Sequence, residues 1–406
     1  MQKKQSIVWL SSSYPRFEKD SASIFLRYLA ETIDSKKYDV HVLSPDDYHV
    51  DHKQHSDTIF LHYFKYFAPR RLQKLAYGSG ILPNLKENRL LYSQVPFFLI
   101  SQFIACYRLV KKLKPSLIHA HWAFPQGTIA SMVGKLTHTP VIITTHGGDA
   151  FALQGSILAS IKHWSLKHCS AWTSNTSATA NAFWGDIGKP YIIPMGIDYQ
   201  QFSTGNGLTL RAQLADDCLV LLFVGRLVEK KGVKDLLRAY SLLNREQHQK
   251  TQLWIIGDGS EKRSLEKLSH SLQLNDYVTF LGKLPNEQLP DYFAAADIFI
   301  APSITDSVGD TEGQGITLVE AMASSTAVIS TNTGGICEVI EHDHTGIIVN
   351  PESPLELKVA LQKLLENPEL RHSMAEKGSE AAQKYSWVQV GVNFQELYEC
   401  VQVDHI

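Results

Sequence analysis

Two carboxylates, Glu312 and Glu320, stand eight residues apart in EGQGITLVE, with Gly313 and Gly315 between them. A glycine opening a helix-forming run leaves the first-turn N–H groups of Gly315, Ile316 and Thr317 without backbone partners, and such a helix start attracts phosphate. The two carboxylates supply acceptors for hydroxyl groups. Phosphate donors beside hydroxyl acceptors are what a sugar nucleotide requires. A second group, GRLVEKKG, places Gly225 and Arg226 just past the apolar run LVLLFV, with Lys231 at the next helix start. Two cations there would neutralise a diphosphate and stabilise it as a leaving group. Either group alone also fits a solvated loop; both at strand ends of one sheet favour a shared site.

Those residues need a frame. DIFIAPS (297–303) reads as a buried strand before Glu312, and TAVIST (326–331) as the strand after the Glu320 helix. The whole chain repeats this alternation. Residues 1–197 form one βα series, from IVWL through SLIHAHW and PVIITTH to YIIPMG. Residues 217–385 form a second, from LVLLFVG to TGIIVNP. The polar, glycine-containing stretch 198–216 reads as a linker, and 386–406 as a C-terminal amphipathic helix that packs back on the first domain. Short βα repeats predict doubly wound parallel sheets, an α/β class. Ligands of such domains sit at the carboxyl ends of the strands, so the active site is expected in the cleft between the two.

Composition narrows the class. With 406 residues, 44% apolar and 20% charged, the chain is ordinary for a globular protein of two or three domains. A net charge of −2 argues against nucleic acid as a partner. Five scattered cysteines without a Cys-x-x-Cys pair predict a reducing, cytoplasmic setting and no cysteine zinc site. The apolar part of the N-terminal stretch is too short for a signal peptide and reads as a first strand. The longest near-apolar run, VPFFLISQFIACY (95–107), has 13 residues, against about 20 for a spanning helix.

The second half resembles the nucleotide-binding domain of the retaining family 4 glycosyltransferases (glycosyl transferases group 1), which have the GT-B fold of two Rossmann-like domains with parallel sheets facing a central cleft. The resemblance rests on GRLVEKKG, GDGS (257–260), VTFLGKL (278–284), EGQGITLVEAMA (312–323), TNTGGICEVI (331–340) and DHTGIIVNP (343–351), in the family's order. It implies that Arg226 and Lys231 hold the diphosphate, that Glu320 takes the ribose hydroxyls, that the backbone around Leu281 meets the base, and that Glu312 meets the donor sugar. Gln314 stands where the family often has an aromatic residue, which bears on sugar-ring packing and donor identity. The loop SSSYPRFEKDSASIF (11–25) resembles the acceptor-side loop, with Ser21-Ala22-Ser23 at the usual glycine pair. Arg16 there is a candidate contact for an anionic acceptor or the donor phosphate. His146 in IITTHGGDA matches the family's histidine against the donor sugar, and Asp149 is a candidate acceptor contact.

Two other features bear on function. His119 and His121 alternate on one strand and share a face; with His146 and Asp149 they sketch a metal set, the seed of a rival reading as a metal-dependent hydrolase. Between Leu61 and Pro115 there are ten Lys/Arg against Glu87 alone, interleaved with ten aromatic residues. That balance suits an anionic membrane surface where a lipid-linked acceptor would lie.

The expected function is a retaining transfer of a sugar from a nucleoside diphosphate sugar to an acceptor hydroxyl, in cell-surface polysaccharide or lipid-linked oligosaccharide synthesis, at the inner face of the membrane. No cofactor is expected. With no Asp-x-Asp motif, metal is not required, and by the resemblance the leaving phosphate takes the acceptor proton. A GT-B sugar-nucleotide epimerase or hydrolase is the main alternative.

Overall fold

The computed structural model describes residues 4–403 except Lys19, Ser21, 51–57, Ser79, 153–154 and Trp184. The substitution of Ser21 for a family glycine therefore lies outside the described residues. The chain forms two compact units, Met1–Pro194 with Val390–Ile406, and Met195–Gln389.

The first unit is built on a parallel sheet of seven strands in the order β3-β2-β1-β4-β5-β6-β7. These are β1 (Gln5–Leu10), β2 (Tyr38–Pro45), β3 (Ile59–Phe64), β4 (Leu117–His121), β5 (Val141–Thr145), β6 (Ala171–Ser174) and β7 (Tyr191–Ile192). Register pairs Trp9 with Val42 on one side and with His119 on the other. Ile7 to Leu10 are fully buried, as a strand covered on both faces must be. One face is covered by helix Val95–Leu113, which turns Phe98, Gln102, Cys106, Leu109 and Val110 inward. The other receives the C-terminal helix Trp387–Val403. Its Tyr398 hydroxyl meets His119 Nδ1 at 2.8 Å, and Gln395 accepts from Asp34 N at 2.9 Å.

The second unit carries a parallel sheet ordered β10-β9-β8-β11-β12-β13. Its strands are β8 (Leu219–Val224), β9 (Thr251–Ile256), β10 (Val278–Gly282), β11 (Ile298–Ala301), β12 (Ala327–Thr331) and β13 (Ile347–Val349). One core lies under Leu236, Leu237 and Tyr240; another lies under Phe293, Leu318 and Met322 on the opposite face.

Two expectations change. The stretch 198–216 is not a free linker: it holds helices Tyr199–Ser203 and Leu208–Arg211 and packs on the second unit, where Arg211 pairs with Asp297. Its glycines serve contact, since a Cβ on Gly205 would stand 2.3 Å from the Pro290 carbonyl. The apolar run 95–107 also extends further than its sequence suggests. With the turn before it, Arg89–Leu113 spans 25 residues, long and apolar enough to cross a membrane by length and composition. Its buried stripe is nonetheless committed to the sheet of the first unit.

Candidate functional site

In the second unit the candidate residues gather along the carboxyl edge of one sheet. Buried β8 ends at Gly225, whose N–H donates to Ile256 O at 3.0 Å, and Arg226 follows as an exposed cation. Next comes Gly232, at φ +63°, which caps helix Val233–Ser241; a Cβ there would fall 1.8 Å from Pro302 O, so the Lys230–Lys231 turn lies directly against the loop leaving β11. That proximity brings Lys231 Nζ onto the Glu312 carboxylate as an ion pair. Burial opposes ionisation of Glu312, but Lys231, with Lys230 and Arg226 behind it, overcomes this and holds the carboxyl below its usual range. Lys230, which the motif reading passed over, bonds Asp310 at 2.9 Å and the Thr311 carbonyl at 3.3 Å, fixing the loop before Glu312. Its signal was the doubled lysine itself.

Helix Ile316–Ala323 starts at Gly315, held at φ +75° in the left-handed region that glycine tolerates. Among the described residues no bond is donated by the N–H groups of Gly315, Ile316 or Thr317, and no side chain caps them. Glu320 lies about one turn in. Burial pushes its carboxyl up to about 8. Gln314 is committed to backbone groups. It is 3% exposed, and its amide accepts from Met195 N at 2.7 Å and donates to Met195 O at 3.0 Å. On β10, the register steps from Phe280 to Gly282 against Ile255 and Ile256, leaving Leu281 as a bulge residue whose backbone is released from the ladder.

In the first unit, His146 follows β5. Its ring sits 5.2 Å from Trp122, 5.3 Å from Phe25 and 5.8 Å from His121, and its Nε2 has no partner among the described residues. Burial lowers its pKa to about 4, so the imidazole is neutral near pH 7. Trp122 and Phe25, missed in the sequence, form this aromatic surround. Asp149 departs from its expected role as an acceptor contact. It is 1% exposed, and its carboxylate accepts from His146 N at 2.7 Å and Ala123 N at 2.6 Å, so it positions the His146 loop. Burial raises that carboxyl to about 6 against these bonds. Arg16 is likewise occupied, bonded to Asp20 at 2.6 Å and Asp47 at 3.1 Å.

Of the histidines in the rival metal set, His119 has neither ring nitrogen free. His119 spends Nδ1 on Tyr398 and Nε2 on Thr144, at 2.8 and 2.7 Å. Burial depresses His119 to about 3 and His121 well below its ordinary value, as for packed neutral rings. No group of three potential ligands occurs among the described residues.

Residues 211–381 match the model of the glycosyl transferases group 1, and residues 17–176 that of the glycosyl transferase 4-like proteins. The chain is 30% identical over 269 residues to the GDP-mannose-dependent alpha-(1-6)-phosphatidylinositol monomannoside mannosyltransferase of Mycobacterium tuberculosis, covering 64% of this chain and 69% of that protein. It is 26% identical over 326 residues to the D-inositol 3-phosphate glycosyltransferase of Corynebacterium kroppenstedtii, covering 74% and 69%. Among solved structures, sucrose-phosphate synthase from Thermosynechococcus elongatus superposes with a TM-score of 0.76 at 21% identity, over 99% of this chain and 100% of that one. The Anabaena HepE protein in complex with UDP gives 0.73 at 18%, over 98% and 100%. These likenesses give the fold as GT-B. Matched by family models in both halves and by a relative at 30% identity, the chain belongs to the glycosyl transferases group 1 and is a glycosyltransferase.

Proposed function

We propose that this glycosyltransferase moves a sugar, with retention, from a nucleoside diphosphate sugar to an acceptor hydroxyl in cell-surface polysaccharide or lipid-linked oligosaccharide synthesis, working in the cytoplasm at the inner face of an anionic membrane. The observation that carries the donor class is the edge of the second sheet. Unclaimed N–H groups at Gly315–Thr317 stand in the same loop system as Arg226 and the Lys231–Glu312 pair. Backbone donors and cations together suit a diphosphate leaving group, and preorganised charge of this kind stabilises its departure. Glu312, ionised beside Lys231, accepts hydroxyls of the donor sugar. Glu320 takes the ribose diol, and the released backbone at Leu281 meets the base. The named donor of the mycobacterial relative, GDP-mannose, and the UDP and UDP-glucose held by the Anabaena protein support a nucleotide sugar.

In the first unit, a neutral His146 offers Nε2 for a hydrogen bond to a sugar hydroxyl and carries no proton to donate as an imidazolium. As the family resemblance implies, the leaving phosphate takes the acceptor proton on the same face. The test is stabilisation of the pure protein by UDP, GDP, ADP and their sugars. A ligand at 100 times its dissociation constant adds about 2.7 kcal/mol. One nucleotide family that stabilises the protein, with the shift abolished by Arg226→Ala, supports the reading; no shift with any of them sinks it.

A further inference from the structure

β4 ends at His121, and the next residue, Trp122, takes φ +76° and ψ 135°. For so bulky a side chain that conformation is an outlier. Strand alternation would send Trp122 to the side of Ala120, which is packed in the core. The positive φ breaks the alternation. The indole lies instead against Phe25 and His146, with ring centres at 6.0 and 5.2 Å. Hydrogen bonds hold the backbone there: Trp122 N donates to Thr144 O at 2.8 Å and the Trp122 carbonyl accepts from Gly127 N at 2.9 Å. Ala123 N, next in the chain, donates to Asp149 at 2.6 Å. Strain that the surroundings over-determine in this way clusters at ligand sites.

Phe25, Trp122 and His146 form a corner of three rings, each touching the other two and none stacked flat, with interplanar angles of 74°, 61° and 50°. All three side chains are partly exposed. Two polar atoms belong to the corner. His146 Nε2 is buried without a partner, which a ligand hydroxyl would relieve, and Trp122 Nε1 has no recorded partner among the described residues. Asp149, beneath the corner, spends its carboxylate on two backbone N–H groups, and Lys162 donates to the Asp149 carbonyl at 2.7 Å. Those charges are engaged, so the rings suit a neutral ligand better than a cation. An apolar wall with a few placed polar groups fixes a ligand's orientation. A neutral ring with an apolar face and hydroxyls around its edge is a pyranose.

We propose that Trp122 is a specificity-determining residue of the transfer: its indole, with Phe25 beside it, packs on the apolar face of the transferred pyranose while His146 Nε2 takes a hydroxyl at that ring's edge. An axial hydroxyl on the packed face would lift the sugar from the indole and be stranded against carbon, so epimers differing there are rejected. That the packed sugar is the transferred one rests on the function proposed above. The packing itself is separately measurable.

The full chain is offered methyl α-glucopyranoside, methyl α-mannopyranoside and methyl α-galactopyranoside, and saturation passing from protein to sugar is read by NMR. UDP and GDP are compared with their glucose and mannose conjugates by calorimetry. One glycoside is expected to receive saturation chiefly on the C–H groups of one face. Trp122→Leu should abolish that signal and weaken the nucleotide sugar by about tenfold, the worth of a lost aromatic contact, while the bare nucleotide binds as before. Trp122→Phe should restore most of both. The split between conjugate and bare nucleotide is a readout that a merely structural role would not move. If glycoside signal and sugar increment are both unchanged in Trp122→Leu, the proposal falls and the donor reading stands. Equal weakening of conjugate and bare nucleotide makes Trp122 structural and overturns it too. Glycoside binding that depends on Trp122, in a protein that binds no nucleotide, supports the packing and counts against the donor reading alone. A wild type that takes neither glycoside nor nucleotide sinks both.

Discussion

Lys231 and Glu312, 81 positions apart, close on each other as an ion pair with about one sixth of each side chain exposed. The carboxylate proposed for the donor sugar is thereby kept ionised by a cation proposed for the diphosphate. Removing one partner of such a pair leaves the other buried and unpaired. Lys231→Ala is expected to cost roughly 2–4 kcal/mol of stability, and Lys231→Ala/Glu312→Gln less than Lys231→Ala alone, read from denaturant midpoints. The folded pKa of Glu312 lies below its ordinary 4.5, so the pair's contribution is present above that value and is lost as pH falls through the lowered one. A wild-type protein with no acid sensitivity below about pH 4.5 beyond that of Lys231→Ala/Glu312→Gln would contradict this.

Glu320 has the opposite sign. Its folded pKa, about 8, exceeds the ordinary 4.5, so stability is fullest below 4.5 and declines as pH rises toward 8. Glu320→Gln should flatten that decline. If the ribose hydroxyls are taken by the carboxylate, nucleotide binding at pH 7 releases a proton, seen as a dependence of the calorimetric heat on buffer ionisation. Glu320→Gln should show none.

Arg226 is exposed and, unlike Lys231, lies in no recorded ion pair among the described residues. Arg226→Ala should therefore change the stability of the unliganded protein by no more than about 0.5 kcal/mol while abolishing nucleotide stabilisation. A large loss in the unliganded protein would mean that Arg226 is structural.

Gln314→Ala removes both bonds to the Met195 backbone from a buried position. The cost is expected at roughly 2 kcal/mol, the penalty for stranded buried polar groups. Chemical denaturation checks it; a change under about 0.5 kcal/mol would show that water replaces the amide.

The second sheet was legible because its strands are apolar runs followed by glycine-marked loops and helix starts. GRLVEKKG and EGQGITLVE announce both the strand end and the helix start, and local rules suffice for those. The direct contact of Lys231 with Glu312 was not legible, since it depends on how closely Gly232 lets one loop approach Pro302. Asp149 was read as an acceptor contact for a related reason: a polar side chain beside a motif looks available until the backbone groups it satisfies are seen. In 198–216 the glycines suggested freedom, yet Gly205 and Gly207 are small so that Pro290 and Ala295 can come close.

The Tyr398–His119 bond joins residues 279 positions apart, and the first unit is completed by Val390–Ile406. During synthesis, the face of the first sheet that bears His119 stays without Phe394 and Tyr398 while the entire second unit is being made. At about 5–20 residues per second, the 279 positions from His119 to Tyr398 take roughly 14–56 s. The second unit, contiguous from Met195 to Gln389, can finish folding before the first, although the first begins emerging earlier. A chain stalled before Tyr398 would leave the Trp9–His119 surface without the ring that covers it.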